Sequence, residues 1–261
     1  MFLVDSHCHL QRVSDKLGLS IPDILDRAMK EEVRYFLNVS VSLSDFPSLL
    51  ETTSQHANVA ISCGIHPNEM PIDVDEDAFF TFASHPKVIA IGETGLDYYR
   101  SQGDLSWQRE RFKTHIRIAK TLGKPLIVHM RDAADDTIAL MRESGAHMIG
   151  GIMHCFSENL SVAASAIDLG FYISFSGTVT FKNARSLQEV AKAIPLNRLL
   201  IETDAPYLAP TPLRGKINEP QYVRHTAAHI AHLRGLSLEA LADVTTNNFF
   251  NLFKNVTRPH V

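Results

Sequence analysis

Val88-Ile89-Ala90-Ile91-Gly92 is an unbroken run of apolar and small residues, and an acid, Glu93, follows it at once. Side chains along a strand alternate between two faces, so a run that is apolar throughout must be covered on both. Strands buried on both faces belong to parallel sheets, whose crossover helices pack over them. Comparable runs recur at 2 to 6, 34 to 40, 59 to 64, 126 to 129, 149 to 154, 171 to 175 and 199 to 203, which with 88 to 92 makes eight strand candidates. Stretches with helical spacing separate them, such as Phe112, Ile116, Ala119 and Leu122, or Ile138, Leu140 and Met141, and Gly123, Gly145 and Gly170 suit C-terminal caps. Alternation through eight units predicts an α/β fold, the (β/α)8 or TIM barrel; a doubly wound open sheet is the alternative. A further stretch, Leu238 to Phe253, reads as an extra C-terminal helix lying outside the barrel.

With 261 residues, 45% of them hydrophobic, the chain can build one large core, and residues 1–261 read as a single domain without linker, internal repeat or low-complexity tract. The formal net charge of -4 excludes the global basic field that carries nonspecific duplex binding, so any nucleic-acid contact must be local to a cleft. Cys8, Cys63 and Cys155 lie in or beside apolar runs and form no C-x-x-C pair, which reads as small buried residues in a reducing compartment. With neither a charged leader nor an apolar segment of membrane-spanning length, the chain reads as cytoplasmic, with no membrane association and no obligate protein partner.

The chemistry lies where the strand candidates end. His7 and His9, at i and i+2 in Asp5-Ser6-His7-Cys8-His9, leave a strand on the same side and can grip one metal ion. His66 follows the third run, Glu93 ends the fourth, His129 the fifth, His154 the sixth, and Asp204 follows the eighth. In a barrel the carboxyl ends of all strands meet at one rim, so these residues converge despite their separation in sequence. Four of these imidazoles, on His7, His9, His129 and His154, and the two carboxylates already exceed what one tetrahedral ion takes but suit two divalent ions sharing a carboxylate, and Glu93 is the natural bridge. Zn2+ and Mn2+ agree with the softness of imidazole ligands. Glu202, two residues before Asp204, shares its face and either orients a ligating imidazole or is a buried residue paired elsewhere; Asp5 stands in the same relation to His7, with the same two readings. His225, His229 and His232 share a helical face but have no acid at matching spacing, so they read as an amphipathic surface, and His56, His85, His115, His147 and His260 read as incidental.

These residues sit in six ordered motifs: Asp5-Ser6-His7-Cys8-His9, Gly64-Ile65-His66-Pro67, Gly92-Glu93-Thr94-Gly95-Leu96-Asp97-Tyr98, His129-Met130-Arg131-Asp132, His154-Cys155-Phe156 and Glu202-Thr203-Asp204. Through them the chain resembles, end to end, the TatD family of metal-dependent deoxyribonucleases, within the amidohydrolase-like barrels. The resemblance implies a TIM barrel that hydrolyses phosphodiester bonds with divalent metal, Mg2+ included, typically as a 3′-to-5′ exonuclease on DNA ends or single strands. It implies one ion on His7, His9, Glu93 and Asp204 and the other on Glu93, His129 and His154, with His66 facing substrate. Two positions depart from the family pattern, Gln11 where an acid is common and Leu213 before the Arg214-Gly215-Lys216 of the last loop.

In the mechanism expected here Glu93 and Asp204 carry catalysis, Asp204 taking the proton of the attacking water. Arg131, Arg214 and Lys216 are the expected phosphate contacts, with Lys182 and Arg100 behind them, since arginine binds phosphate oxygens in pairs. Tyr98 and Tyr207 are the aromatic candidates for stacking a terminal base. The competing function is hydrolysis of C–N bonds or lactones of small molecules by a related barrel. It is disfavoured by the cationic Arg214-Gly215-Lys216 loop and by a glutamate, rather than a lysine, at the end of the fourth run.

Overall fold

The computed structural model describes residues 1–69 and 74–259. Eight strands, Leu3–Cys8 (β1), Val33–Asn38 (β2), Val59–Cys63 (β3), Val88–Asp97 (β4), Leu126–Arg131 (β5), Gly151–Met153 (β6), Phe171–Phe175 (β7) and Leu199–Ile201 (β8), pair in sequence order, every pair parallel. The seam between β8 and β1 is drawn together by Ser6 Oγ donating to Ile201 O at 2.9 Å. Beyond it Asp204 N donates to His7 O, and His9 N to Ala205 O, each at 2.9 Å. The sheet is therefore a barrel and not an open, doubly wound sheet. The fourth strand outruns its apolar stretch and continues through Glu93 to Asp97, because polar residues on the inner face are welcome at the rim.

Helices Leu10–Leu17 (α1) and Ile21–Lys30 (α2) join β1 to β2, and Phe46–Thr53 (α3), Glu76–Ala83 (α4), Ser106–Leu122 (α5), Ala134–Glu143 (α6), Leu160–Asp168 (α7) and Arg185–Ala193 (α8) complete the crossovers. Val223–Arg234 (α9) and Leu238–Leu252 (α10) follow β8. Gly123 closes α5 in the left-handed conformation, at φ 62°, as its spacing predicts.

Alternating strand residues sort into two cores. Leu3, Phe36, Ile61, Ile91, Val128 and Ile173 face the helices, whereas Val4, Leu37, Ala60, Ala90, Ile127 and Leu200 fill the barrel. The placement of α10 corrects the expectation that it lies wholly outside. Leu241 and Ala242 do pack in the outer layer, but Phe249 and Phe253 join the inner cluster. Thr246 Oγ1 donates to Phe2 O at 2.9 Å, and Asn248 Nδ2 to Leu199 O at 2.8 Å. The reason is that the amino-terminal mouth of the barrel would otherwise leave Phe2 and Tyr35 in water. Each phenylalanine buried there contributes about 1.5–3 kcal/mol.

Candidate metal centre

Two irregularities in strand register aim the ligand types at the barrel axis. In β1 the inner-facing residues are Val4 and Ser6, the latter 3.1 Å from Ser174 Oγ across the barrel. The pairing with β2 then shifts between Asp5 and Cys8, so that His7 within the shift and His9 beyond it both reach the centre. In β4 the pairing with β5 shifts between Ile91 and Thr94, so that Glu93 joins Ala90 on the inside. Such bulges re-aim side chains at strand ends.

Glu93 divides the cluster. Its Oε2 lies 3.5 Å from His7 Nε2 and 4.0 Å from His9 Nε2. Its Oε1 lies 2.9 Å from His154 Nε2, 3.0 Å from His129 Nδ1 and 3.3 Å from His66 Nε2. Asp204 Oδ1 completes the first set, 3.5 Å from His9 Nε2 and 3.7 Å from His7 Nε2. The sequence-predicted metal residues thus meet in one pocket, each with little exposure.

What holds the second nitrogen of each imidazole decides what the first can do. His9 Nδ1 donates to Val39 O at 2.9 Å, which leaves Nε2 as a lone-pair donor. His154 Nδ1 is 3.1 Å from Glu202 Oε1, as expected of an orienting acid. His129 Nε2 is 3.1 Å from Asp97 Oδ2. Two lone-pair nitrogens, His129 Nδ1 and His154 Nε2, then point at the same carboxylate oxygen, an arrangement that repels unless a positive charge lies between them. His7 Nδ1 and Glu202 Oε2 are buried with no hydrogen-bond partner. This donor set fits divalent metal. His66 differs, because its Nδ1 accepts from Asn68 N at 3.0 Å and its Nε2 in the neutral ring must carry the proton. In that tautomer it donates toward Glu93, and with Glu93 and His129 it also forms one of the side-chain groups that could hold a metal ion.

Where no cation lies between them, the same groups draw protons onto the imidazoles instead. Burial pushes the Glu93 carboxyl up, but His154, His66 and His129 outweigh it and hold it well below the usual range. Burial disfavours a charged His154, yet Glu93 and Glu202 carry it well above its ordinary value; His129 is raised in the same way by Asp97 and Glu93. His7 is lowered by burial and by neighbouring His154.

Asp97 is the residue that the sequence reading missed. It sits four positions after Glu93 in the same motif, so strand alternation puts both on one face, and that spacing was the available signal. Of its two readings Asp5 takes the buried one, paired elsewhere than on an imidazole: it accepts from Thr203 N at 2.9 Å, Thr203 Oγ1 at 2.6 Å and His7 N at 3.3 Å, fastening β1 to the residues after β8. Burial pushes its carboxyl well above the usual range against those hydrogen bonds.

Among the predicted phosphate contacts, the Arg131 guanidinium lies 3.9 Å from the Tyr99 ring centre and that of Arg214 4.4 Å from Phe181. Lys216, Lys182 and Arg100 are exposed on the loops after β8, β7 and β4. Gln11 accepts from Asn38 Nδ2 at 3.0 Å and takes no part in the cluster. Of the three α9 histidines, His229 approaches Gln188, and among the described residues none of the three belongs to a group that could hold a metal ion. His260 lies outside the described residues. His115 is structural: Nδ1 donates to Arg111 O at 2.8 Å and Nε2 accepts from Ile65 N at 2.9 Å, fixing the loop that carries His66.

A family model described as TatD related DNase matches residues 4–254. The uncharacterized metal-dependent hydrolase YcfH of Escherichia coli K12 is 46% identical over 254 residues, covering 97% of this chain and 96% of that protein. The uncharacterized metal-dependent hydrolase YabD of Bacillus subtilis is 39% identical over 254 residues, covering 97% of this chain and 99% of its own. Among solved structures, the TatD homolog YJJV of Escherichia coli superposes with a TM-score of 0.85 at 26% identity, over 97% of this chain and 98% of that one.

Proposed function

Because this chain belongs to the TatD-related DNase family of metal-dependent hydrolases, we propose that it hydrolyses phosphodiester bonds at the ends or single strands of DNA, working from 3′ to 5′. The observation that carries this reading is the split of Glu93, with Oε2 facing His7 and His9 and Oε1 facing His129 and His154. Such a carboxylate suits two divalent ions, Mg2+, Zn2+ or Mn2+. His7, His9, Asp204 and Glu93 would hold one, and Glu93, His129 and His154 the other. When bound, the pair polarises the scissile phosphate and brings the pKa of water toward neutrality.

The protein's own groups do the rest. Asp204 takes the proton of the attacking water: burial raises its carboxyl, but His9, His7 and His154 beside it hold it lowered, so it stands there as the carboxylate. His66 donates its Nε2–H to a phosphate oxygen. Arg131, Arg214 and Lys216 receive the flanking phosphates. Glu202 keeps His154 turned toward Glu93. No covalent adduct with the enzyme is required. The three cysteines are free, which supports action in a reducing compartment such as the cytoplasm. No helix among the described residues is long and apolar enough to cross a membrane.

The test is to strip the protein of metal and incubate it with end-labelled single- and double-stranded DNA, adding back Mg2+, Mn2+ or Zn2+. Mononucleotides released stepwise from the 3′ end are the expected result. Inertness with every ion, alongside turnover of a cyclic amide or lactone, would overturn the reading in favour of small-molecule hydrolysis.

A further inference from the structure

Tyr207 stands out at the edge of the metal cluster. Its amide donates to Asp204 O at 2.9 Å, so the ring is placed by the backbone of the residue assigned as base. The ring centre lies 6.4 Å from that of His9, edge to face. Yet the side chain is not packed away, for the residue is 37% exposed. Two cations attend it: Arg12 Nη1 donates to Tyr207 Oη at 3.0 Å, and Lys16 Nζ lies 4.9 Å from the ring centre. Both come from α1, which begins directly after His9. Tyr98, the other aromatic the sequence raised, is engaged elsewhere, with its hydroxyl donating to Asp136 Oδ2 at 2.6 Å and Arg109 lying 5.5 Å over its ring.

A partly exposed aromatic ring attended by positive charge is the combination that binds single-stranded nucleic acid, the ring stacking a base once a cation moves off its face and the cations tracking phosphates. Resting on the phosphodiesterase reading above, we infer that Tyr207 is the platform for the last base of the bound strand, and that Arg12 and Lys16 take the phosphates beside it. The platform sets where the strand end stops relative to Asp204. The Tyr207 hydroxyl holds Arg12 beside the ring, and the long Lys16 side chain can swing from the ring to a phosphate.

The experiment compares wild type, Tyr207→Ala, Tyr207→Phe and Arg12→Gln on two single-stranded oligonucleotides, identical except that one ends in an abasic 3′ residue. A third oligonucleotide carries 2-aminopurine at its 3′ end, and quenching of that base on binding to metal-free protein reports stacking directly. Wild type should show a KM about tenfold lower for the base-bearing end, and Tyr207→Ala should bring the ratio of the two KM values close to one. Tyr207→Phe, which keeps the ring, should keep the ratio and the quench. Arg12→Gln should weaken both oligonucleotides alike, since the phosphates are common to them. A ratio and a quench that survive Tyr207→Ala overturn the platform, as does the absence of any quench with wild type. Equal binding by Arg12→Gln and wild type overturns the role of that cation. If wild type cleaves neither oligonucleotide with any ion, it is the phosphodiesterase reading that has failed, and the quench alone then decides the platform.

Discussion

Glu93 and Asp97 act on the same imidazole from opposite sides, and their removal should have different consequences. Glu93 faces both ligand sets, so Glu93→Ala should empty both positions; elemental analysis of the purified variant is expected to find no bound ion, and retention of two per chain would overturn the bridging role. Asp97 touches only His129 among the metal residues. Burial raises its carboxyl, but hydrogen bonds from His129, the Arg100 amide and Asn68 bring it well below the usual range, so it holds His129 as a full negative charge. Asp97→Asn should therefore leave stoichiometry attainable at high metal and weaken one ion by about 10- to 100-fold, read by competition with a chelating dye. An affinity equal to wild type would remove Asp97 from that role. Glu93 was legible as the acid that ends an apolar run, whereas Asp97 lies beyond that run, between Leu96 and Tyr98, where alternation names a shared face but not an occupant of it.

At the level of elements, the contact between β4 and β5 sets the spacing of the site. Gly95 has φ 132°, and a Cβ added there would lie 2.0 Å from His129 O. No side chain fits without moving one strand off the other, at the point where Glu93, Asp97 and His129 meet. Gly95→Ala should lower stability by about 1–3 kcal/mol, seen as a lower urea midpoint with unchanged slope, and should weaken metal binding as well. A midpoint and affinity equal to wild type would show that the close approach is unimportant. The eight strands were legible because each is apolar and bounded. Their register was not, since the shifts in β1 and β4 depend on partners from other parts of the chain. The burial of Phe249 under the barrel was equally hidden, because helical spacing shows which face is apolar and not what it meets.

For the whole molecule, one buried imidazole gives stability a distinct dependence on pH. Burial lowers His115 from the usual value of 6.5 to about 3, the hydrogen bond to Arg111 O recovering only part of the loss. Below pH 6.5 the unfolded chain takes up a proton that the folded protein refuses, so stability falls as pH falls, by about 1.4 kcal/mol per unit until pH nears the folded value. Urea unfolding of wild type between pH 6.5 and 4.5 should show this slope in excess over His115→Gln, which retains an amide donor and a carbonyl acceptor but does not titrate. Parallel slopes would mean that His115 is not the group responsible. The amino-acid order by itself determined the parallel barrel and the gathering of imidazoles and acids at one rim, because side-chain alternation and helical crossovers bring all strand ends to the same side. Only the tertiary structure decided how Glu93 is shared, which nitrogen of each histidine is free, and that Tyr207 stands open beside Asp204. Those outcomes turn on shifts of one residue in register and on distances of a few ångströms between groups far apart in the chain, which no local pattern encodes.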